Sequence, residues 1–315
     1  LAQLTAERDA VHIALTGGRG GAAVLAAIAA HPWRDNIDWS RVHLWWSDER
    51  FVPADDDERN EVLARRALID HIVIPARNVH AILASDAGVD VDAAAAAYAN
   101  ELAGFAPVGG DPWPSFDVAL LGTPWDYIES KDEFLARLGE LESAGVIVAN
   151  PREVVRWNAD KLYLRELAQR GAATIPTLWP EAPDAAVVEA AFAHFGCDQV
   201  VVKRRVGAGG IGQECFAKGA TPAGWRMDQP ALIQPFLPSI QTEGELSFIF
   251  IAGALSHALV KRAAPGDYRI QSLYGGRESA LDPAPADRQA AEAVLAMLPF
   301  EQAPVYARID MVRLP

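Results

Sequence analysis

Apolar positions in the first third of the chain alternate between short continuous runs and longer helical spacings. Val11 to Thr16 reads as a buried strand, followed by Gly17-Gly18-Arg19-Gly20-Gly21 and an Ala-rich helix to about His31. Arg41 to Trp46 is a second strand, Pro53 to Asp57 a loop, and Glu58 to Asp70 a helix with Val62, Leu63, Ala67 and Leu68 on one side. Val79 to Leu83 reads as a short strand, Val91 to Ala103 as a helix and Phe116 to Leu121 as another buried strand. Strand, glycine loop, helix, strand predicts an α/β layer with a parallel, Rossmann-like sheet.

The Gly- and Pro-rich segment Gly104 to Ser115 reads as a surface connection, and the texture changes after Leu121. Asp132 to Ala144 predicts a helix closed by Gly145, and Val146 to Val148 a strand. Asn158 is expected to cap a helix running to Arg170, with Gly171 just past its end. Ala185 to Phe195 is a further helix. From Gln199 onward β structure dominates. Val200 to Lys203 leads into Gly207-Ala208-Gly209-Gly210-Ile211-Gly212, and Ala252-Gly253 joins Glu245 to Ile251 with Leu255 to Lys261 as a hairpin. A helix at Ala286 to Leu298 and a strand at Val305 to Val312 complete the pattern, which contains no internal repeat.

Composition narrows the classes. Of 315 residues, 50% are apolar and 22% charged, which excludes a disordered chain and fits about two domains with a sizeable core. Two cysteines, Cys197 and Cys215, are too few for a secreted disulfide framework and point to a reducing, cytoplasmic setting. The longest small-apolar run, Ala22 to Ala30, is far short of a bilayer span. A net charge of −14 repels nucleic acid and anionic membrane, so any bound phosphate must be held by local donors. The expected partners are therefore small-molecule substrates, and the sequence does not report an oligomeric state. The start at Leu1 and the stop at Pro315 after a strand-like run suggest a fragment.

The glycine loop at 17–21 frees backbone amides at a helix start, the geometry of a phosphate cradle. A glycine turn that merely packs a helix on a sheet would read the same way. Together with Trp45-Trp46-Ser47-Asp48-Glu49-Arg50-Phe51-Val52-Pro53 and Glu58-Arg59-Asn60-Glu61, it resembles 6-phosphogluconolactonase of the glucosamine-6-phosphate isomerase superfamily over about Thr5 to Gly122. The resemblance implies a sugar-phosphate site in which Gly17 and Gly18 cradle the phosphate, Arg19 and Arg50 pair with it and Asp48 orients hydroxyls. In that family the strand corresponding to Phe116 to Gly122 runs into a Gly-x-Asp-Gly-His loop whose His works in lactone opening. Here it continues as Thr123-Pro124-Trp125-Asp126-Tyr127, and no histidine occurs between His80 and His194, so impaired lactonase activity is expected. His194 and His257 read as structural residues.

From Thr123 the chain resembles an ATP-grasp protein of the prokaryotic glutathione synthetase type. The motifs are Trp125-Asp126-Tyr127, Asn150-Pro151, Trp157-Asn158-Ala159-Asp160-Lys161, Val201 to Gly212, Gln234 to Pro238, Glu243-Gly244-Glu245, Lys261-Arg262, Gly266-Asp267-Tyr268-Arg269, Gly275-Gly276 and Arg308-Ile309-Asp310. The resemblance implies an α+β nucleotide clamp that uses ATP and Mg²⁺. Lys161 and Lys203 would contact phosphates, with Gly207, Gly209 and Gly210 in a closing lid. Gln234, Phe236 and Leu237 would form the hinge that reads adenine, and Glu243 or Glu245 would take the ribose hydroxyls. Arg269 would act catalytically on the transferred phosphoryl group, and Asp310 would ligate the metal. Taken singly, Lys161 would read as an exposed helix lysine and Asp310 as a strand-end carboxylate.

The expected organisation is an incomplete lactonase-like α/β domain at 1–122 followed by an ATP-grasp-like region at 123–315, truncated at its C-terminus. The leading functional expectation is a ligase that activates a carboxylate as an acyl-phosphate and joins it to an amine or thiol. The alternatives are a weakened sugar-phosphate hydrolase and a non-catalytic product of two joined halves.

Overall fold

A strand buried on both faces must be apolar nearly throughout. Val11–Leu15 (β1) and Val42–Trp46 (β2) satisfy this with the same pattern, each interrupted only by a histidine at its second position. The computed structural model describes residues 1–105, 113–121, 124 and 126–314, with the side chains of Arg19, Pro114, Asp126 and Ser272 outside that set. Gly109, Gly110, Pro112, Gly122, Thr123 and Trp125, singled out above, lie outside the described residues. The chain divides into two units, one of residues 1–124, 132–153 and 304–306, the other of 125–131, 154–303 and 307–315.

In the first unit β1 and β2 join Val79–His80 (β3), Val118–Leu120 (β4) and Ile147–Ala149 (β5) in a parallel sheet of order β3-β2-β1-β4-β5. The helices of this part of the chain are Ala2–Glu7 (α1), Gly18–Ala30 (α2), Asn60–Ala67 (α3), Val91–Phe105 (α4) and Lys131–Ser143 (α5). The strand order reverses direction between β1 and β4, and the glycine loop that follows β1 lies at this switch point. Ala14, Trp45, Phe116 and Val146 form a core that Tyr98, Leu102 and Leu141 extend.

The two strand histidines are in register, His12 opposite His43, and their rings stack at 4.5 Å. His43 Nδ1 lies 3.0 Å from His80 Nε2, and His80 Nδ1 lies 2.6 Å from Glu101 Oε1. Trp45 stacks on His80 at 3.7 Å and donates its indole N–H to His12 Nδ1 at 3.1 Å. His12 Nδ1 is therefore an acceptor, and protonating it costs that bond. Burial and the neighbouring His43 lower His12 to about 4, against the opposing charge of Asp117, which pairs with Arg8. His43 is lowered by burial, His80 and Arg77.

In the second unit, Gln199–Arg204 (β6), Glu214–Ala217 (β7) and Ala231–Pro235 (β8) form an antiparallel sheet of order β7-β6-β8. Val188, Phe192, Val200, Val202, Phe216 and Ile233 fill its core beneath the helix Ala185–Phe195, which Asp184 caps by accepting from the Val187 amide. A second sheet has the order β11-β10-β9-β12, from Glu245–Ile251 (β9), Ala254–Arg262 (β10), Arg277–Leu281 (β11) and Tyr306–Met311 (β12). Phe248, Phe250, Ala258 and Ala291 form its core, the last from the helix Pro285–Ala296. This is the α/β layer followed by an α+β region that the sequence suggests.

One departure from expectation bears on the site. Asn158 ends a helix, Arg152–Asn158, and a separate one runs over Tyr163–Gln169. The intervening Lys161 amide donates to the Arg205 carbonyl at 3.1 Å, and Asp160 accepts from the Leu162 amide at 3.1 Å. These bonds replace the helical ladder and turn Lys161 toward the β6–β7 loop.

The lowered His12 fixes the sign of a pH effect. The unfolded chain takes up a proton near pH 6.5, whereas the folded chain resists until about 4. The contribution is fully present above the unfolded value and is lost as pH falls between the two. We expect the melting temperature to drop from about pH 7 to about pH 5. His12→Gln should flatten that slope in thermal melts monitored by tryptophan fluorescence.

Candidate functional site

Two places were singled out by sequence. In the first unit, the turn at Asp48–Arg50 is fixed by Glu49, whose carboxylate accepts from the amides of Arg50 (2.8 Å), Asn60 (2.6 Å) and Glu61 (2.9 Å). Asn60 then holds the glycine loop, accepting from the Gly18 amide at 3.0 Å and donating to the Asp48 carbonyl at 3.0 Å. A Cβ on Gly17 would fall 2.0 Å from the Asn60 amide nitrogen, so only glycine fits there. The space among Gly17, Gly18, Trp46 and Asn60 is about 10 Å³, room for one water. Asp48 and Arg50 are exposed beside it, and the Arg19 side chain lies outside the described residues. Arg59 is 1% exposed and pairs with Glu61 at 2.9 Å and Glu49 at 3.7 Å.

The second place, in the second unit, is an open cleft of about 220 Å³. Its apolar lining includes Ile175, Val201, Phe236, Leu237, Ile240 and Met311, and its polar lining Lys203, Gln234, Glu245, Arg269, Gln271 and Asp310. Six residues expected at a nucleotide site thus meet here: Lys203, Gln234, Phe236, Leu237, Glu245 and Arg269. Asp310, expected at the metal, joins them.

Lys203 Nζ donates to Gln234 Oε1 at 3.1 Å, and the Gln234 amide donates to Thr177 Oγ1 at 2.9 Å. Burial lowers the Lys203 pKa, with Glu245 acting in the opposite direction. Lys161 is not in the lining. Its ammonium donates to the Gly207 carbonyl at 2.6 Å and to those of Arg204 and Arg205 at 3.3 and 3.4 Å. Burial and then the charge of Lys203 lower it to about 8.

The lid glycines also lie off the cleft lining. Gly209 and Gly210 have φ of +64° and +74°, and a Cβ on Gly210 would meet Gln271 Oε1 at 2.9 Å. That Gln271 oxygen is buried without a hydrogen-bond partner, an acceptor aimed at the glycine loop. Glu243 is exposed and pairs with Arg313 at 2.9 Å outside the cleft, leaving Glu245 as the carboxylate that lines it. Arg269 is held by both oxygens of Asp267 at 2.8–3.2 Å and lies 3.7 Å over the Tyr274 ring.

Asp310 is fully engaged. Arg308 Nε donates to both of its oxygens at 2.9 Å, Ser247 Oγ donates at 2.6 Å and Lys261 Nζ lies 3.5 Å away. Burial pushes Asp310 up, but Arg308 and Lys261 pull it below the usual carboxylate range. Glu245, whose Oε1 accepts from Lys261 at 3.1 Å, is raised by burial and by Asp310. Among the described residues no three His, Cys, Asp or Glu side chains gather as a metal site, and the donor set at Asp310 is one of cations and a hydroxyl. It does not fit a metal ion as it stands. Tyr163, whose ring lies 4.9 Å from that of Trp157, is pushed up to about 12 by burial and the charge of Asp310. Cys197 and Cys215 are free, and no described helix is long and apolar enough to cross a membrane.

Comparison with known proteins divides the chain in the same two directions. Residues 1–126 match the family of glucosamine-6-phosphate isomerases/6-phosphogluconolactonase, and residues 109–150 match the N-terminal domain of D-cycloserine synthetase DcsG. The 6-phosphogluconolactonase of Streptomyces coelicolor is 53% identical over 120 residues, which are 37% of this chain and 46% of the relative. That of Mycobacterium tuberculosis is 49% identical over 147 residues, 46% of this chain and 58% of the relative. The chain thus spans about half the length of these relatives. The crystal structure of DcsG superposes with a TM-score of 0.56 at 25% identity, covering 66% of this chain and 74% of that one. D-alanine–D-alanine ligase of Bacillus anthracis shares the fold at a TM-score of 0.51 and 14% identity, over 98% of this chain and 83% of its own. The N-terminal part of the chain resembles 6-phosphogluconolactonase, and the C-terminal part resembles ATP-grasp ligases.

Proposed function

We propose that the cleft of the second unit binds ATP, as part of an ATP-grasp-type ligase that activates a carboxylate and joins it to an amine or thiol. The observation that carries this reading is a pair of half-buried lysines, Lys161 and Lys203, whose hydrogen bonds go to neutral oxygens while the nearby carboxylates are matched by other cations. Such a site attracts an anion, and the apolar lining beside it suits a base. The likeness to DcsG and the fold shared with D-alanine–D-alanine ligase support it.

In this reading a substrate carboxylate oxygen attacks the γ-phosphorus and ADP leaves; the amine or thiol then attacks the acyl carbon of the acyl-phosphate, loses its proton to solvent and expels inorganic phosphate, leaving an amide or thioester. Lys203 would hold phosphate oxygens. Arg269, fixed by Asp267, would face the charge that develops on the transferred group. Glu245 would take ribose hydroxyls, and the glycine loop pinned by Lys161 would cover the phosphates. Magnesium enters as the ion carried by the nucleotide, because Mg²⁺ keeps several waters and binds chiefly through substrate phosphates. Small-molecule substrates, a cytoplasmic location and a functional boundary near residue 122 belong to the same proposal.

A second reading rests on the 53% identity to a lactonase over 120 residues. The chain carries Thr123-Pro124-Trp125-Asp126-Tyr127 where the resemblance calls for a catalytic His loop, so the sugar-phosphate function would be lost or strongly impaired.

Two measurements test these statements. Titration with MgATP, followed by calorimetry, should give saturable binding that Lys203→Ala weakens at least about tenfold. Absence of binding, or equal binding by the variant, removes the ligase reading. Incubation with 6-phosphogluconolactone should release acid no faster than the uncatalysed reaction. A rate above background that Arg50→Ala abolishes would revive the lactonase reading.

A further inference from the structure

The carboxylates of the cleft are joined by a lysine that sequence reasoning left without a role. Lys261 lies on β10 directly opposite Glu245 in the antiparallel register with β9. The backbone is close-packed at this pair: Gly244 has φ of +92°, and a Cβ there would stand 2.4 Å from the Lys261 carbonyl. The side chain cannot drift far, because Lys261 is only 8% exposed. Its ammonium reaches Glu245 Oε1 at 3.1 Å and Asp310 Oδ1 at 3.5 Å, and so bridges carboxylates from two strands.

We propose that Lys261 is the built-in cation of this carboxylate pair, so that the chain binds adenine nucleotides without a divalent metal ion. The proposal rests on the nucleotide reading above. Lys261 is absent from the cleft lining, so it acts through Glu245 and Asp310 and is a positioning residue. Its charge and that of Arg308 balance the two carboxylates, and Asp267 balances Arg269. Lys203 is then left to meet the phosphates, with Lys161 holding the glycine loop beside them. A Mg²⁺ ion would need carboxylate oxygens at about 2.0–2.1 Å in near-octahedral array. Those of Asp310 already accept from Arg308 and Ser247, and the Lys261 ammonium stands 3.5 Å from one of them. Removing the ammonium reverses the balance. Glu245 then faces an incoming phosphate without its cation unless a divalent ion is supplied.

The test is titration of the full chain with the β,γ-imido analogue of ATP, once in excess EDTA and once in excess magnesium chloride. Wild-type affinities in the two conditions should agree within about threefold. Lys261→Met should bind at least about tenfold more weakly in EDTA and recover in magnesium, while Lys261→Arg should behave as wild type. Circular dichroism of each variant separates misfolding from a changed ion requirement. Wild-type binding that appears only with magnesium overturns this inference and leaves the nucleotide reading intact. Binding in neither condition overturns both.

Discussion

Taking charge out of water is costly unless each ion finds a counter-ion or several hydrogen bonds close by. The second unit meets this constraint almost entirely with its own side chains. Strand register sets the pairs: Lys261 faces Glu245 across β9 and β10, and Ser247 and Arg308 meet Asp310 on β12. The spacing of residues along β9 matters as much as their identity, because Glu245 and Ser247 are two apart and so lie on one face of the strand. The remaining imbalance is two ammonium groups, Lys161 and Lys203, whose hydrogen bonds go to neutral acceptors.

The two lysines share that excess charge in different ways. Lys203 lines the cleft directly, on a strand whose Val200, Val201 and Val202 are buried. Lys161 spends its hydrogen bonds on the carbonyls of Arg204, Arg205 and Gly207 and so fastens the start of the glycine loop. Its pKa of about 8 leaves it mostly charged near neutrality yet less so than a surface lysine. An anion placed near both would raise it again, which couples ligand charge to the grip on the loop.

Much of the architecture was legible because it rests on local pattern. The runs at Val11, Arg41 and Phe116 and the hairpin at Ala252-Gly253 are strands and a turn for reasons contained within a few residues. What escaped depends on contacts far apart in sequence. The helix expected from Asn158 to Arg170 is broken by a bond from the Lys161 amide to a carbonyl 44 residues away. Glu49 reads as one acid among many, yet it caps the amides of residues 60 and 61. Glu243 and Glu245 are equivalent as text, and only the placement of β9 turns one to Arg313 and the other to the cleft. Arg277–Leu281 is exposed over its first four residues and sets only Leu281 against the core, so an edge strand there leaves little hydrophobic signal.

The two family matches overlap over residues 109–126, and β4 lies inside the overlap. Its neighbours in the sheet are β1, from the lactonase-like stretch, and β5, from the stretch that matches DcsG. Parallel strands pair through backbone groups, and any strand apolar on both faces can serve the same two neighbours. Val118, Ala119 and Leu120 are such a strand, in register with Ile147, Val148 and Ala149 on one side and, for the first two, with Ile13 and Ala14 on the other. A sheet can therefore take up sequence from two families at one central strand with its pairing intact. Catalytic chemistry is less forgiving, because it resides in the loop that leaves the strand. The pairing of β4 with β1 and β5 therefore holds the layer together whatever the sequence of the loop that follows it.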